Sequence, residues 1–136
     1  ASGLASSAVG FRNKAASENA SAVGYGNNAN ALAASAVGYN NTAGGVGSST
    51  IGYNNTATNE NASAFGYGNT AGGLASSAFG FSNTASGDNA NAFGYIILPA
   101  VPRAMFSERE ILFPAAAVPQ SVLLMKLPLK QHCYRQ

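Results

Sequence analysis

The sequence predicts an all-β chain, a parallel β-solenoid of 14-residue coils over residues 1–95, followed by a tail of different character over 96–136. Three observations predict it. Glycine recurs at Gly10, Gly24, Gly38, Gly52, Gly66, Gly80 and Gly94 with a constant step of 14. The neighbouring columns keep that step, which is the signature of a stacked repeat. And the unit is too short to hold both an average helix and a strand, and shows no apolar spacing of helical period.

The strand comes first. Before each glycine stands an apolar residue (Val9, Val23, Val37, Ile51, Phe65, Phe79, Phe93), and after it an aromatic one (Phe11, Tyr25, Tyr39, Tyr53, Tyr67, Phe81, Tyr95). Two before the glycine is alanine, except for Thr50, and three before it is serine, except for Asn91. In an extended segment such as Ser63–Tyr67, alternation puts Phe65 and Tyr67 on one face and Ala64 and Gly66 on the other. Both faces are apolar, so the strand is expected to be buried on both sides.

The turns follow. Three after the glycine comes asparagine at Asn13, Asn27, Asn41, Asn55, Asn69 and Asn83, and then threonine at Thr42, Thr56, Thr70 and Thr84. Five after it is alanine. Stretches such as Gly-Asn-Thr-Ala and Gly-Gly-Leu-Ala supply corners. Stacking at about 4.8 Å per coil makes a rod on the order of 33 Å long. Alanine and glycine can fill so narrow an interior, which sends the Val/Phe and Phe/Tyr columns outward as an apolar stripe, and a stripe of that size marks an interface. With the parity reversed, the rings would lie inside and the small residues would let chains approach closely; association is expected either way.

The run Ala62-Ser63-Ala64-Phe65-Gly66-Tyr67-Gly68-Asn69-Thr70-Ala71 resembles the YadA-like head repeat of trimeric autotransporter adhesins. The resemblance covers residues 1–95. It implies a left-handed parallel β-roll, a homotrimer, an outer-membrane or cell-surface location, and adhesion to host matrix or cells. The subunit interface would be the aromatic column Phe11, Tyr25, Tyr39, Tyr53, Tyr67, Phe81 and Tyr95. The receptor surface would be the outer corners bearing Asn41, Thr42, Asn55, Thr56, Asn69 and Thr70. This chain departs from the family pattern in carrying serine three before the glycine and a ring after it, so collagen binding is not carried over.

Other chemistry is thinly represented. Residues 1–95 contain no His and no Cys, which leaves no nucleophile–base constellation, and Glu18, Glu60 and Asp88 stand at least two coils apart along one column, too far to pair. No enzyme activity and no cofactor are expected. The repeats carry a net charge of −1 and the tail +3, so the basic balance belongs to the tail and signals no nucleic-acid partner. His132 beside Cys133 supplies two ligands without a second cluster, short of a zinc site. The apolar run 111–125 is broken by Pro114 and Pro119 and is shorter than the roughly 20 residues a membrane helix needs. The membrane anchor, like the export signal, is expected outside this chain. Gly24-Tyr25-Gly26 touches a phosphate-loop pattern without its helix or lysine. Asn19, Asn40, Asn54 and Asn61 open Asn-x-Ser/Thr triplets that an Asn- and Thr-rich repeat produces by chance. The rival reading is an ice-binding solenoid presenting the Thr42, Thr56, Thr70, Thr84 ladder. A hexapeptide acyltransferase solenoid would want a different period and a catalytic histidine.

The tail breaks every column at once. All 16 glycines precede residue 96 and all five prolines follow it. If Tyr95 were followed by Asn-Asn-Thr-Ala-Ser-Gly, encoded AAT AAT ACT GCC AGC GGT, loss of the first A would give Ile-Ile-Leu-Pro-Ala-Val, which stands at Ile96–Val101. Domain 96–136 is therefore expected to be an irregular, out-of-frame continuation of the repeats.

Overall fold

The protein is described here by a computed structural model, over residues 1–98 and the short strand Met105–Phe106. In chain order the strands are β1 (Ser7–Phe11), β2 (Lys14–Ala15), β3 (Ser21–Tyr25), β4 (Asn28–Ala29), β5 (Ser35–Tyr39), β6 (Thr42–Ala43) and β7 (Ser49–Tyr53). They continue with β8 (Thr56–Ala57), β9 (Ser63–Tyr67), β10 (Thr70–Ala71), β11 (Ser77–Phe81), β12 (Thr84–Ala85), β13 (Asn91–Tyr95) and β14 (Met105–Phe106). Long and short strands alternate. The long ones form one eight-stranded parallel sheet in the order β1-β3-β5-β7-β9-β11-β13-β14, and the short ones a six-stranded parallel sheet. The result is a parallel β-solenoid, as the 14-residue period predicts.

Register follows the repeat without a slip. Ser35, Ala36, Val37, Gly38 and Tyr39 pair with Ser49, Thr50, Ile51, Gly52 and Tyr53, and Thr42 pairs with Thr56. Each residue therefore sits on its counterpart one coil away, so a column read along the sequence is a column in space. The core between the two sheets is made of alanine: Ala22, Ala36, Ala64, Ala78 and Ala92 point in from the long strands, and Ala29, Ala43, Ala57, Ala71 and Ala85 from the short ones, all fully buried. Thr50 replaces alanine in one coil and is equally buried, its hydroxyl donating to the Ser35 carbonyl at 3.4 Å. A methyl group contributes only about 0.8 kcal/mol on burial, so a core this narrow leans on hydrogen bonds more than an ordinary domain does.

Two corners per coil turn through left-handed backbone. One holds Arg12, Gly26, Asn40, Asn54, Gly68 and Ser82, the other Asn19, Ala33, Gly47, Asn61, Ala75 and Asn89, with φ between 51° and 67°. The corners are closed by backbone bonds to the preceding coil, such as Asn54 N–H to the Tyr39 carbonyl at 2.9 Å and Asn61 N–H to the Val46 carbonyl at 2.9 Å.

The structure differs from expectation in two respects. The long strands are buried on their inner face alone; within one chain the outer face is open, because none of the described residues lies over it. And the tail, expected to be irregular, contributes β14, whose Met105 and Phe106 pair in parallel with Asn91 and Ala92. The His132–Cys133 pair, the apolar run 111–125 and the rest of 96–136 beyond these elements lie outside the described residues.

Candidate functional site: an exposed aromatic face over a buried asparagine ladder

The outer face of the long-strand sheet carries the rings. Because the strands are parallel and in register, each ring stacks on its counterpart: Tyr25 on Tyr39 at 5.1 Å between centroids, Tyr39 on Tyr53 at 4.9 Å, Tyr53 on Tyr67 at 4.9 Å and Tyr67 on Phe81 at 4.9 Å. Planes in this middle stretch lie within 5° of parallel. Phe11 extends the stack at one end and Tyr95 at the other. A second stack runs beside it through Phe65, Phe79 and Phe93 at 4.7 and 4.9 Å, continuing the column of Val9, Val23, Val37 and Ile51. The β-ladder imposes this spacing, and rings at that distance gain from one another beyond their burial. Stacking hides their faces and leaves their edges out: Tyr25 is 40% exposed, Tyr53 44% and Phe93 49%. The parity is thus the one with small residues inside and rings outside.

Beneath this face the glycine column explains itself. Gly38 and Gly52 have φ of 116° and 119°, a region open to glycine and strained for other residues. A Cβ on Gly38 would also fall inside the contact envelope of the Gly52 carbonyl oxygen and 3.1 Å from Asn41 Nδ2. No side chain fits there. The same geometry aims each glycine carbonyl at the asparagine of the coil before it.

That asparagine column corrects the sequence reading. Asn41, Asn55 and Asn69 were expected on the outer corners; they are fully buried, with Asn27 and Asn83. The left-handed residue two after the glycine reverses the chain so that the following side chain enters the coil, where backbone carbonyls await it. Asn55 Nδ2 donates to the Ile51 carbonyl at 3.0 Å and to the Gly66 carbonyl at 2.7 Å, and lies 3.0 Å from Asn41 Oδ1. Its own Oδ1 accepts the Asn69 backbone N–H at 2.9 Å. The pattern repeats from Asn13 to Asn83. A signal in the sequence could have found it: position Gly+3 is asparagine in every complete unit, whereas Gly+2 varies among Arg12, Gly26, Asn40, Asn54, Gly68 and Ser82. Of these two neighbouring positions the uniform one lies inside and the varied one forms the corner.

The remaining candidates are spread over the surface. Thr42, Thr56 and Thr70 are half-buried on the short-strand sheet, and Lys14 and Asn28 interrupt their column at one end. Glu18, Glu60 and Asp88 are exposed, Asp88 accepting the Leu74 N–H at 2.9 Å. Asn19, Asn40, Asn54 and Asn61 all occupy exposed left-handed corners, a conformation asparagine tolerates well, so the triplets they open follow from corner geometry. Among the described residues no three His, Cys, Asp or Glu side chains gather as metal ligands, and no helix is long and apolar enough to cross a membrane.

Comparison with curated proteins and with solved structures returns no match. Comparison with family models returns one family, the YadA head domain repeat (2 copies), at residues 1–27, 17–41, 43–69 and 71–95. These segments take in well over half of the chain. The chain belongs to the YadA head domain repeat family.

Proposed function

We propose that residues 1–95 are part of the head of a surface-exposed bacterial adhesin, a non-enzymatic rod that associates as a homotrimer through its aromatic face and binds host matrix or cell surfaces through the faces left outside. The observation that carries the assembly is the uninterrupted outer ladder from Phe11 to Tyr95, flanked by the Val/Phe column. A face this long, apolar and flat matches what symmetric oligomers bury. What supports adhesion is membership of a head-repeat family whose name is that of an adhesin. With the asparagines inside, the contact surface falls to Thr42, Thr56, Thr70 and Thr84 and to the corner side chains. A rod of repeated weak contacts gains strength by multivalency.

The test is sedimentation equilibrium of the 136-residue chain over a range of concentrations, with Tyr39→Ser/Tyr53→Ser beside it. A trimer that the double substitution dissociates is the expected result. A folded monomer at every concentration would remove the interface, and thermal hysteresis in that monomer would favour the ice-binding alternative.

A further inference from the structure

The backbone does not stop where the repeat stops. Ile96 N–H donates to the Phe81 carbonyl at 2.9 Å, as Ser82 N–H does to Tyr67 one coil earlier at 2.8 Å. Ile97 N–H donates to Asn83 Oδ1 at 2.8 Å, the bond that Asn83 N–H makes to Asn69 Oδ1 at 3.0 Å. Thr84 N–H donates to the Ile97 carbonyl at 2.7 Å, as Thr70 N–H does to Asn83 at 2.8 Å. β14 then pairs with β13 at a step of 14, Met105 on Asn91 and Phe106 on Ala92. Register survives while the side chains at 96 and 97 no longer suit it.

The misfit is specific. Ile96 has a φ of 53°, a left-handed position where a β-branched side chain is strained, in a column that elsewhere holds Gly, Asn, Ser and Arg. Ile97 sits in the seat of the asparagine ladder and packs against the alanine core instead. Asparagine answers both seats. It tolerates the left-handed corner, as at Asn40 and Asn54, and it fills the ladder at every earlier level.

We infer that the seats at 96 and 97 belong to asparagine, and that residues 96–136 are encoded by the next repeats of the same series, read one nucleotide out of frame. The inference rests on family membership and not on the adhesive reading. The coding arithmetic agrees with the geometry: with the codons ATA ATA CTG CCA GCG GT, restoring one A before codon 96 turns Ile-Ile-Leu-Pro-Ala-Val back into Asn-Asn-Thr-Ala-Ser-Gly. Each restored codon takes the last base of one present codon and the first two of the next. On that rule glycine is permitted at positions 108 and 122 and asparagine at 97, 111 and 125, all on their columns, while alanine at 113 and an aromatic at 109 are not. The uninterrupted product would be a longer rod with the ladder and the glycine column carried past residue 95.

Two measurements on the full chain test it. The coding DNA, read with one base restored before codon 96, is expected to give asparagine at 97, 111 and 125 and glycine at 108 and 122; stop codons or other residues there overturn the inference. Ile96→Asn in the present frame is expected to raise the melting temperature by about 3–6 °C, since it relieves the strained corner of a coil that is formed. An unchanged or lower value would mean that no coil forms at 96–97, and the continuation falls with it. The coding DNA does not depend on oligomeric state, and parent and variant are melted at the same concentration, so a chain that passes both yet stays monomeric would sink the proposed assembly and leave this inference standing.

Discussion

Two columns, one of aromatic rings and one of asparagines, run along this rod two residues apart in sequence, and they live in opposite environments. The ring after each glycine stacks on its counterpart outside the coil; the asparagine three after the glycine stacks on its counterpart inside. The same in-register parallel ladder builds both. What separates them is the left-handed residue at glycine plus two, which turns the chain around the corner. The outer column satisfies only itself, with ring faces covered and ring edges bare. The inner column satisfies the backbone, because each amide meets carbonyls from its own coil and the next, and each amide oxygen receives the N–H of the coil that follows. A solenoid core of alanine is too thin to hold by apolar burial alone, so the inner ladder belongs to the stability of one chain, while in the proposed assembly the outer ladder belongs to the meeting of several.

Placing a charge in the inner ladder should break this division most severely. In Asn55→Asp the oxygen that replaces Nδ2 would face the Ile51 and Gly66 carbonyl oxygens, which now receive a donor and would then oppose a carboxylate. Burial and these carbonyls favour the neutral acid and raise its folded pKa above the unfolded value. A raised carboxyl pKa gives stability that is present at low pH and lost as pH rises through the folded pKa. The variant should therefore be most stable in acid and weakened by about 3–5 kcal/mol at neutral pH, the order seen for an unpaired buried charge. Denaturant titrations across pH check it; a variant insensitive to pH would mean that the site is open to water.

Truncating the same residue removes the ladder without adding a charge. Asn55→Ala deprives Asn69 N–H of its acceptor and the Ile51 and Gly66 carbonyls of their donor. With each orphaned buried group worth 1–3 kcal/mol, a loss of about 3 kcal/mol is expected, independent of pH and of protein concentration. Equilibrium unfolding of the variant against the parent measures it, and a loss under about 1 kcal/mol would show that water replaces the amide without penalty.

Period, coil length, strand position and the grouping of the rings on one strand face were all legible in the sequence, because in-register stacking makes a column in the list a column in space; which way that face points was left open and is settled by the burial of the alanines. The asparagine ladder was not, and Asn41, Asn55 and Asn69 show why. Residue type argued for a polar corner, since asparagine is common in turns, and the alternation rule that placed Phe65 and Tyr67 correctly stops at the left-handed residue. Beyond it, inside and outside are set by φ, which composition does not reveal. The uniformity of the column among the repeats carried the information. The tail was legible in a different way, since the loss of all columns at residue 96 located the break, while the survival of backbone register through Ile96, Ile97 and β14 became visible only in the hydrogen bonds.

The outer ladder gives the smallest effect in one chain and the most informative one. Tyr53→Ala removes two stacking contacts at 4.9 Å from a ring that is already 44% exposed, and leaves no buried polar group unpaired. Within a single chain that should weaken folding by about 1–2 kcal/mol, the lower part of the range for two aromatic pairs because the ring is already half exposed. If the face is a subunit interface, the same ring is also lost from each neighbouring protomer, and that part of its contribution scales with association. Unfolding midpoints of parent and variant should therefore differ little in dilute solution and increasingly as concentration rises, because binding of folded partners stabilises by mass action. The inner-ladder variants should show a constant difference over the same range. Equal concentration dependence for Tyr53→Ala and Asn55→Ala would mean that the two ladders share one role, and the division between a column that folds the chain and a column that joins chains would be wrong.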